Sequence, residues 1–441
     1  MFGPGESSVI VECSAQTTCA VIHAILTSLI LFFVLLTGFA YTTVLERRFL
    51  AFLQARIGPN RAGPYGLLQP VADGIKLIFK EDLTPARAKK VVFWMAPVIK
   101  VVPALLVMAV VPFGPDITVP WFDGKWYHMA QGLADVNVGV LWILGITSIG
   151  IYGIALAGWS SNNKYAMLGG LRASAQMISY ELSMSLAIIV PVMLAGSLSM
   201  GEIIEAQNET PILGWFVFQN PMAAIIMGLA LLAEVNRAPF DMPEAEQELT
   251  AGYHSEYSGM KFAMFYLAEY IGMIAMGGIA AALYFGGYHF IWVDKAPLLG
   301  PLVFGFKVFV LLVVMVWVRG TLPRIRYDRL MAFGWKVMIP LGLVAVVWSA
   351  FGVILQEEMS TAGYVALVVA VWVVFLVASD YWLRRVGRRE EPKMVHERIE
   401  VVSLSGGRGA SAIRTLDKVI GAPLARSGGS RGEKQDQEPE E

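Results

Sequence analysis

The chain is dominated by apolar stretches long enough to cross a lipid bilayer. A transmembrane helix needs about 20 apolar residues, and nine segments meet this need, at roughly 20–44, 91–112, 138–158, 173–195, 222–240, 262–285, 302–318, 336–355 and 362–383. Each is predicted to be a helix, because lipid offers no partners to open backbone groups. Only 16% of the residues are charged, which is too few to cover a soluble surface. The predicted fold class is an all-α polytopic membrane protein with about nine transmembrane helices.

The positions of Lys and Arg predict the orientation in the membrane. The first loop holds Arg47, Arg48, Arg56, Arg61, Lys76, Lys80, Arg87, Lys89 and Lys90, whereas the even-numbered loops offer only Lys125 and Lys295. Because cytoplasmic loops carry the excess of basic residues, we expect an eight-helix core at 20–355 with cytoplasmic loops at 45–90, 159–172, 241–261 and 319–335. Residues 1–19 would then be periplasmic. A ninth helix at 362–383 would place the tail at 384–441 in the cytoplasm, and its Gly, Ser and mixed charges predict disorder.

Motifs for bound cofactors do not occur in the sequence. It contains no CxxC pair, no Walker A run and no GxGxxG, and none of its five histidines faces a partner in mid-helix. We therefore expect no redox cofactor, nucleotide, metal ion or nucleic acid to be bound by this chain. Cys13 and Cys19 lie near the external end of the first helix, and the sequence leaves open whether they pair.

Three carboxylates lie within predicted membrane helices: Glu181, Glu234 and Glu269. An ionisable group inside a span costs roughly 2.5–3.5 kcal/mol on insertion and by default indicates function. Each could instead make a simple hydrogen bond between helices. Three on neighbouring helices favour a path for protons or cations. We interpret Lys100 as snorkelling to the interface, and Lys307 as a candidate counter-charge.

The loop after the fifth helix is acidic although the basic residues predict a cytoplasmic location. In EVNRAPFDMPEAEQELTAGYHSEYSG, residues 234–259, Arg237 stands against the carboxylates Glu234, Asp241, Glu244, Glu246, Glu248 and Glu256. Pro239 and Pro243 are predicted to end the fifth helix and to fix a rigid turn. A solvated acidic loop is the alternative interpretation.

The first cytoplasmic loop contains a short amphipathic segment, GLLQPVADGIKLIFKED. Its apolar residues recur at helical spacing, with Asp73 on the opposite face. The segment is too short and too charged to span, so we expect an interfacial helix; a generic membrane anchor is the alternative. Next to it lie Glu46-Arg47-Arg48 and the turn-rich RIGPNRAGPYG.

Two long motifs resemble one known family. ERRFLAFLQARIGPNRAGPYGLLQPVADGIKLIFKED and AEVNRAPFDMPEAEQELTAGYHSEYSGMKFAMFYLAEY are similar to the membrane-arm H subunit of bacterial NADH:quinone oxidoreductase, respiratory complex I, the family of mitochondrial NADH dehydrogenase subunit 1. The resemblance covers roughly residues 20–355, and RGTLPRIRYDRLMAFGWKVMIP fits it as well.

The resemblance implies a function for the acids and for the interfacial helix. Such a subunit forms much of a quinone-binding chamber at the junction with the hydrophilic arm and couples quinone reduction to proton translocation. By motif, the quinone-chamber residues would be Glu46, Arg47, Arg48, Asp73, Arg237, Phe240 and Asp241. The proton-path residues would be Glu181, Glu234, Glu244, Glu246, Glu248, Glu256 and Glu269.

The resemblance also implies where the redox chemistry occurs. Quinone would be the substrate, and FMN and iron–sulfur clusters would be bound by partner subunits. Those partners would be the soluble quinone-site and terminal-cluster subunits together with small and antiporter-like membrane subunits, in a bacterial inner membrane. No residue of this chain would be catalytic.

One feature departs from the family pattern. Members end after an eighth span, whereas this chain adds a ninth segment and a tail. Two other classes remain open at this point: the corresponding subunit of a related membrane-bound hydrogenase, and a stand-alone cation transporter. Against the transporter, the sequence has no inverted repeat and no pair of broken helices in matching halves.

Overall fold

The computed structural model describes residues 10–13, 17–120, 126–208, 212–242, 252–290, 293, 296–358, 363–373 and 381. Within these residues the chain is built almost entirely of helices. They are α1 (Thr17–Leu53), α2 (Gln69–Ile78), α3 (Lys90–Val107), α4 (Gly139–Ser160), α5 (Lys164–Ala195), α6 (Met200–Ala206), α7 (Phe216–Gln219), α8 (Pro221–Glu234), α9 (Gly259–Tyr284), α10 (Gly300–Thr321), α11 (Tyr327–Phe333), α12 (Ile339–Glu358) and α13 (Gly363–Val373).

Seven of the described helical segments are long and apolar enough to cross a membrane, namely Thr17–Leu53, Lys90–Val110, Gly139–Ser160, Lys164–Ala195, Gly259–Tyr284, Pro297–Thr321 and Tyr327–Leu355. Two shorter apolar helices, Pro221–Glu234 and Gly363–Val373, stand at the predicted fifth and ninth positions. The predicted fold class, an all-α polytopic membrane protein, is confirmed.

The fifth helix ends earlier than the sequence predicts. The apolar pattern predicts a helix over 222–240, with Pro239 as its terminator, but α8 stops at Glu234. Asn236 adopts φ 54°, in the left-handed region that no α-helix uses. The chain therefore leaves the helix before Pro239, and Asn236 to Asp241 form a buried non-helical segment.

Helix α5 is the centre of the bundle and packs against α4, α8 and α12. Its contact with α4 depends on two glycines, because a Cβ on Gly170 would lie 3.2 Å from the Cα of Gly158. Gly170 and Gly158 thus serve close helix packing, as small residues do in membrane bundles, whereas Gly169 lies against the turn at Gly252, where an added Cβ would be 2.5 Å from the Cα. The contact between Gly158 and Gly170 brings α4 and α5 near enough to share polar side chains.

A small β-sheet forms outside the helix bundle, and the sequence analysis did not predict it. Strand β1 (Ile10–Glu12) runs parallel to β3 (Trp126–Gln131), which pairs antiparallel with β2 (Gly114–Pro120). Cys13 and Cys19 form a disulfide and pack with the buried Tyr127 and Met129. The cysteines are therefore paired, which ties the N-terminal strand to the start of α1.

The amphipathic helix in the first loop is confirmed as α2. None of its residues is buried, and the apolar stripe of Val71, Ile75 and Ile78 is more than half exposed. An ion pair connects the segment after α2 to the bundle: Lys261 Nζ on α9 lies 2.8 Å from Asp82 Oδ1. The helix thus presents an apolar surface from an anchored position, as an interfacial helix does.

Candidate functional site

Arg237 is the centre of a buried ion cluster. Its side chain is 2% exposed, and it lies in the non-helical segment after α8. Its Nη1 is 3.2 Å from Glu46 Oε1 on α1, and its Nε is 2.7 Å from Glu269 Oε1 on α9. The guanidinium carbon also lies 4.4 Å from the centre of the Tyr270 ring. A single arginine therefore joins three elements of the fold.

Glu46 accepts a second hydrogen bond, from Arg319 on α10. The cluster thus contains two carboxylates and two guanidinium groups, and its formal charges cancel. Burying charges is tolerable only when they are paired in good geometry. Breaking such a cluster by removing one member leaves an unpaired buried charge, at a cost of about 3–5 kcal/mol.

The three charged residues at the end of α1 face different surroundings. Glu46 is buried in the cluster, whereas Arg47, its neighbour, is half-exposed and reaches Asp73 on α2 with Nη1 2.7 Å from Oδ2. Asp73 also accepts from Gln69 at 3.1 Å. Arg48 is half-buried against the loop at Gly58. The predicted Glu46-Arg47-Arg48 group is therefore split between the interior and the α1–α2 surface.

A cavity of about 60 Å³, in which charged and polar groups interrupt a largely apolar lining, lies beside the ion cluster. Its polar lining consists of Lys100, Thr147, Glu234, Asn236, Asp241, Tyr253, His254 and Glu269. Glu234 Oε2 and His254 Nε2 are buried without a hydrogen-bond partner among the described residues. Buried polar groups are normally satisfied, commonly by ordered water, and this volume is enough for several water molecules. The cavity therefore brings charged and polar side chains together with apolar ones inside the helix bundle.

Glu181 lies on α5, close to α4 and outside the lining of the cavity. Its carboxylate accepts a hydrogen bond from Ser148, the residue after the cavity-lining Thr147. Its charge also interacts with that of Glu234. Two other polar residues of α5, Ser174 and Ser185, donate hydrogen bonds to carbonyl oxygens of their own helix. Polar groups thus continue from Arg237 through Glu269 and Glu234 to Glu181.

His254 is neutral in this setting. Burial alone lowers the pKa of His254 from 6.5 to about 3, because desolvation disfavours the charged imidazole. The ring therefore enters the cavity as an uncharged group at neutral pH and can donate or accept a hydrogen bond.

The remaining predicted site residues lie elsewhere. Phe240 is buried against Tyr180, with ring centres 5.2 Å apart, in the same segment as the cluster arginine. Glu256 bonds to Asn163 at 2.7 Å in a surface cleft, apart from the cavity. Glu244, Glu246 and Glu248 lie outside the described residues. The structure therefore brings together Glu46, Arg237, Asp241, Glu234 and Glu269, with Glu181 adjoining them.

Two lysines lie in surroundings that differ from those predicted from the sequence. Lys100 lines the internal cavity, so the snorkelling interpretation is wrong. Lys307 donates to the carbonyl oxygens of Phe285 and His289, at 2.6 and 2.8 Å. Lys307 therefore stabilises the backbone at the end of α9 and in the turn after it, and it is not the counter-charge of any described carboxylate. Thr147, Asn236 and His254 were missed as well, because each reaches the cavity only through tertiary packing.

Within the described residues, no group of three or more His, Cys, Asp or Glu side chains is arranged to hold a metal ion. The fold and the site define a polytopic α-helical membrane protein with a buried, charge-balanced ion cluster next to an internal cavity that carboxylates and a lysine help to line.

The comparisons with known proteins then identify the family. The model of the NADH dehydrogenase family matches residues 26–350. One of the NADH-quinone oxidoreductase H subunits of Syntrophobacter fumaroxidans is 50% identical over 315 residues, which is 71% of this chain and 90% of that protein. The H subunit of Protochlamydia amoebophila is 48% identical over 71% of this chain and 93% of its own length. The H subunit of Dehalococcoides mccartyi strain CBDB1 is 45% identical over 78% of this chain and 92% of its own length. The chain belongs to the NADH dehydrogenase family, among the H subunits of NADH-quinone oxidoreductase.

Proposed function

We propose that this chain is the membrane subunit of NADH-quinone oxidoreductase that forms much of the quinone chamber and couples quinone reduction to proton translocation. The observation that carries the proposal is the double ion pair of Arg237. This side chain binds Glu46, which the resemblance assigns to the chamber, and Glu269, which it assigns to the proton path. One guanidinium group therefore connects the two predicted sets directly.

The entrance of the chamber is proposed at the junction of α1 and α2. The apolar stripe of α2 is exposed next to the Arg47–Asp73 pair, at the proposed membrane surface. A quinone with an apolar tail would approach along such a surface, with its polar headgroup toward the charged residues. Arg237, Phe240 and Asp241 would lie beneath the headgroup, with Arg48 at the entrance.

The proton path is proposed to begin at the ion cluster and to run through the cavity. When quinone is reduced near Arg237, the local charge changes, and the pairing of Arg237 with Glu46 and Glu269 would adjust to it. Glu269 and Glu234 both line the cavity, and the charge of Glu181 interacts with that of Glu234. Glu244 and Glu246 would respond first, Glu181 and Glu269 would relay, and Glu248 and Glu256 would belong to the same acidic loop.

The proposal includes partners and an orientation. The flavin and iron–sulfur clusters would be supplied by soluble subunits, and proton translocation would be completed by antiporter-like membrane subunits, in a bacterial inner membrane. The Cys13–Cys19 disulfide supports a periplasmic N-terminus, because disulfides persist on the oxidising side of the membrane. The basic residues of the first loop support the same orientation.

A mild-detergent pull-down of the full chain from its native membrane tests this function. Mass spectrometry of the eluate would be paired with an inhibitor-sensitive NADH:quinone assay. Flavin and iron–sulfur subunits together with that activity would support the proposal. Recovery of hydrogenase subunits, or of the chain alone in an intact state, would contradict it.

A further inference from the structure

Lys100 is a basic residue inside the membrane bundle that neither motif contains. It lies on α3, and its side chain lines the cavity. The backbone of α3 lies close to α4 at this point, because a Cβ on Gly153 would be 2.9 Å from Lys100 N. Lys100 Nζ in turn lies 3.8 Å from the position that a Cβ of Gly150 would occupy. Two glycines of α4 thus leave the space in which the lysine side chain is held.

The carboxylates of the cavity need a counter-charge. Glu234, Asp241 and Glu269 all line it, and Lys100 is the one Lys or Arg side chain in its described lining. Glu269 already has a partner in Arg237 at 2.7 Å. Glu234 is 5% exposed, and its Oε2 has no hydrogen-bond partner among the described residues. A carboxylate buried in this way is costly unless a cation lies nearby.

The charges around Lys100 come from three elements. Glu234 on α8 and Glu269 on α9 both attract its ammonium group. Asp241 lies in the segment after α8, and His254, which is neutral, lies in the short turn Gly252–His254 before α9. Among the described residues, no side chain forms a hydrogen bond with Lys100 Nζ. The ammonium group can therefore act as the counter-charge of Glu234 or of Glu269.

We propose that Lys100 is a positioning residue of the proton path, the mobile counter-charge that lets Glu234 and Glu269 hold and exchange a proton inside the membrane. The inference rests on the proposed function, because it assigns a role within the same path. The lysine would not touch quinone. It would act through the two glutamates, stabilising whichever of them is ionised as the proton moves between them.

The test measures proton translocation per quinone reduced, in inverted membrane vesicles that contain the whole assembled complex. The variants are Lys100→Met, Lys100→Arg, Glu181→Gln, Glu234→Gln and the double variant Lys100→Met/Glu234→Gln. For Lys100→Met we expect the translocation ratio to fall roughly tenfold, because an unpaired buried charge is strongly unfavourable. Lys100→Arg should restore most of the ratio, and the double variant should be no worse than Glu234→Gln alone.

Lys307→Met is the matched control, because it removes a lysine from another membrane helix, where the ammonium group binds carbonyl oxygens. It should leave the ratio per assembled complex unchanged. If the Lys100→Met variant does not assemble into the complex, the double variant becomes the deciding measurement, because it removes both the lysine charge and the glutamate charge. Failure of the double variant where Glu234→Gln assembles would show a packing role and overturn the inference.

Two further results separate the inference from the function on which it rests. If Lys100→Met keeps the native ratio while Glu234→Gln and Glu181→Gln lose it, the role of Lys100 is refuted and the proton path stands. If all three variants keep the native ratio, the proposed path itself is refuted, and the inference falls with it.

Discussion

Arg237 shows how one residue can hold a site together. Its guanidinium group has donors on several sides, which suits contacts with two carboxylates and an aromatic face at once. Glu46 and Glu269, which are far apart in sequence, both pair with this side chain, and Tyr270 lies under it. The charges cancel only because Arg319 joins Glu46 as well. Loss of Arg237 would remove the guanidinium group that Glu46 and Glu269 share.

Replacing Arg237 by Met should destabilise the protein strongly. Breaking a buried ion pair by removing one partner costs about 3–5 kcal/mol, and this side chain is 2% exposed. The measurement is the thermal midpoint of the purified complex, followed by tryptophan fluorescence. Arg326→Met is the control, because its pair with Asp328 is three-quarters exposed, and such pairs contribute little. Equal midpoints for the two variants would contradict the buried cluster.

His254 makes stability depend on pH in a defined direction. Its pKa is about 3 in the folded protein against 6.5 in an unfolded chain, owing to burial. The folded state therefore favours the neutral ring. This contribution to stability is fully present above pH 6.5 and is lost as the pH falls toward 3.

At pH 5 the loss amounts to about 2 kcal/mol. We therefore predict that the thermal midpoint of His254→Gln falls less between pH 8 and pH 5 than the midpoint of the native protein does. Melting curves of both proteins at the two pH values provide the measurement. An unchanged pH dependence in the variant would mean that the ring is charged or solvated in the folded state.

At the scale of elements, the contact between α4 and α5 positions Ser148 against Glu181. It depends on Gly158, where an added Cβ would lie 2.7 Å from the carbonyl oxygen of Ala166. Backbone atoms cannot yield to that overlap as a flexible side chain can. The close approach of the two helices is therefore a condition for the polar contact between Ser148 and Glu181.

Gly158→Ala should force α4 and α5 apart and lower the thermal midpoint. Overpacking of this kind costs typically about 1–3 kcal/mol. Gly145→Ala on the same helix is the matched control, because nothing lies within 4 Å of its added Cβ, and alanine favours a helix over glycine. If the Gly145 variant lost as much stability as the Gly158 variant, helix packing at Gly158 would not be the cause.

The sequence predicted the helices better than their ends. The apolar length of the first segment predicts a helix at 20–44, yet α1 runs from Thr17 to Leu53 because its charged end packs inside the bundle around Glu46. The end of α8 depends on the left-handed Asn236, and no rule of proline placement indicates that conformation. The small sheet depends on pairing between strands that are distant in sequence, and the local sequence pattern does not show which strands pair.

At the scale of the whole molecule, the site lies inside the part that matches the family. The matched range is 26–350, and the cavity-lining residues fall between Lys100 and Met276. Helix α13 lies beyond that range, and its buried Tyr364 packs against Gly352 of α12. Helix α13 thus packs against the bundle, and none of its described residues lines the cavity.

Ending the chain after Glu358 should therefore leave quinone reduction per assembled complex unchanged. The truncation removes α13 and everything that follows, but none of the described residues that form the ion cluster or line the cavity. The measurement is the NADH:quinone activity of vesicles, normalised to the amount of complex. A loss of specific activity with normal assembly would show that the additional segment takes part in the reaction.

Each membrane-embedded acid of the candidate path could be predicted from the sequence, but their arrangement around one cavity could not. Glu181, Glu234 and Glu269 were predicted from the cost of placing a carboxylate in a membrane helix. That Arg237 bonds to Glu269, and that Lys100 and His254 face the same cavity, depends on the three-dimensional packing of α3, α8 and α9. A sequence shows that charge is buried, whereas only the fold shows which charges are neighbours.

The most direct test of the central claim is proton translocation per quinone reduced in inverted membrane vesicles carrying Glu181→Gln or Glu246→Gln. Glutamine keeps the shape of each side chain and removes its ability to carry a proton. If buried carboxylates couple quinone reduction to translocation, both variants should lose translocation for each quinone that is reduced. If both variants pump as many protons per quinone as the native complex, the proposed coupling path is wrong.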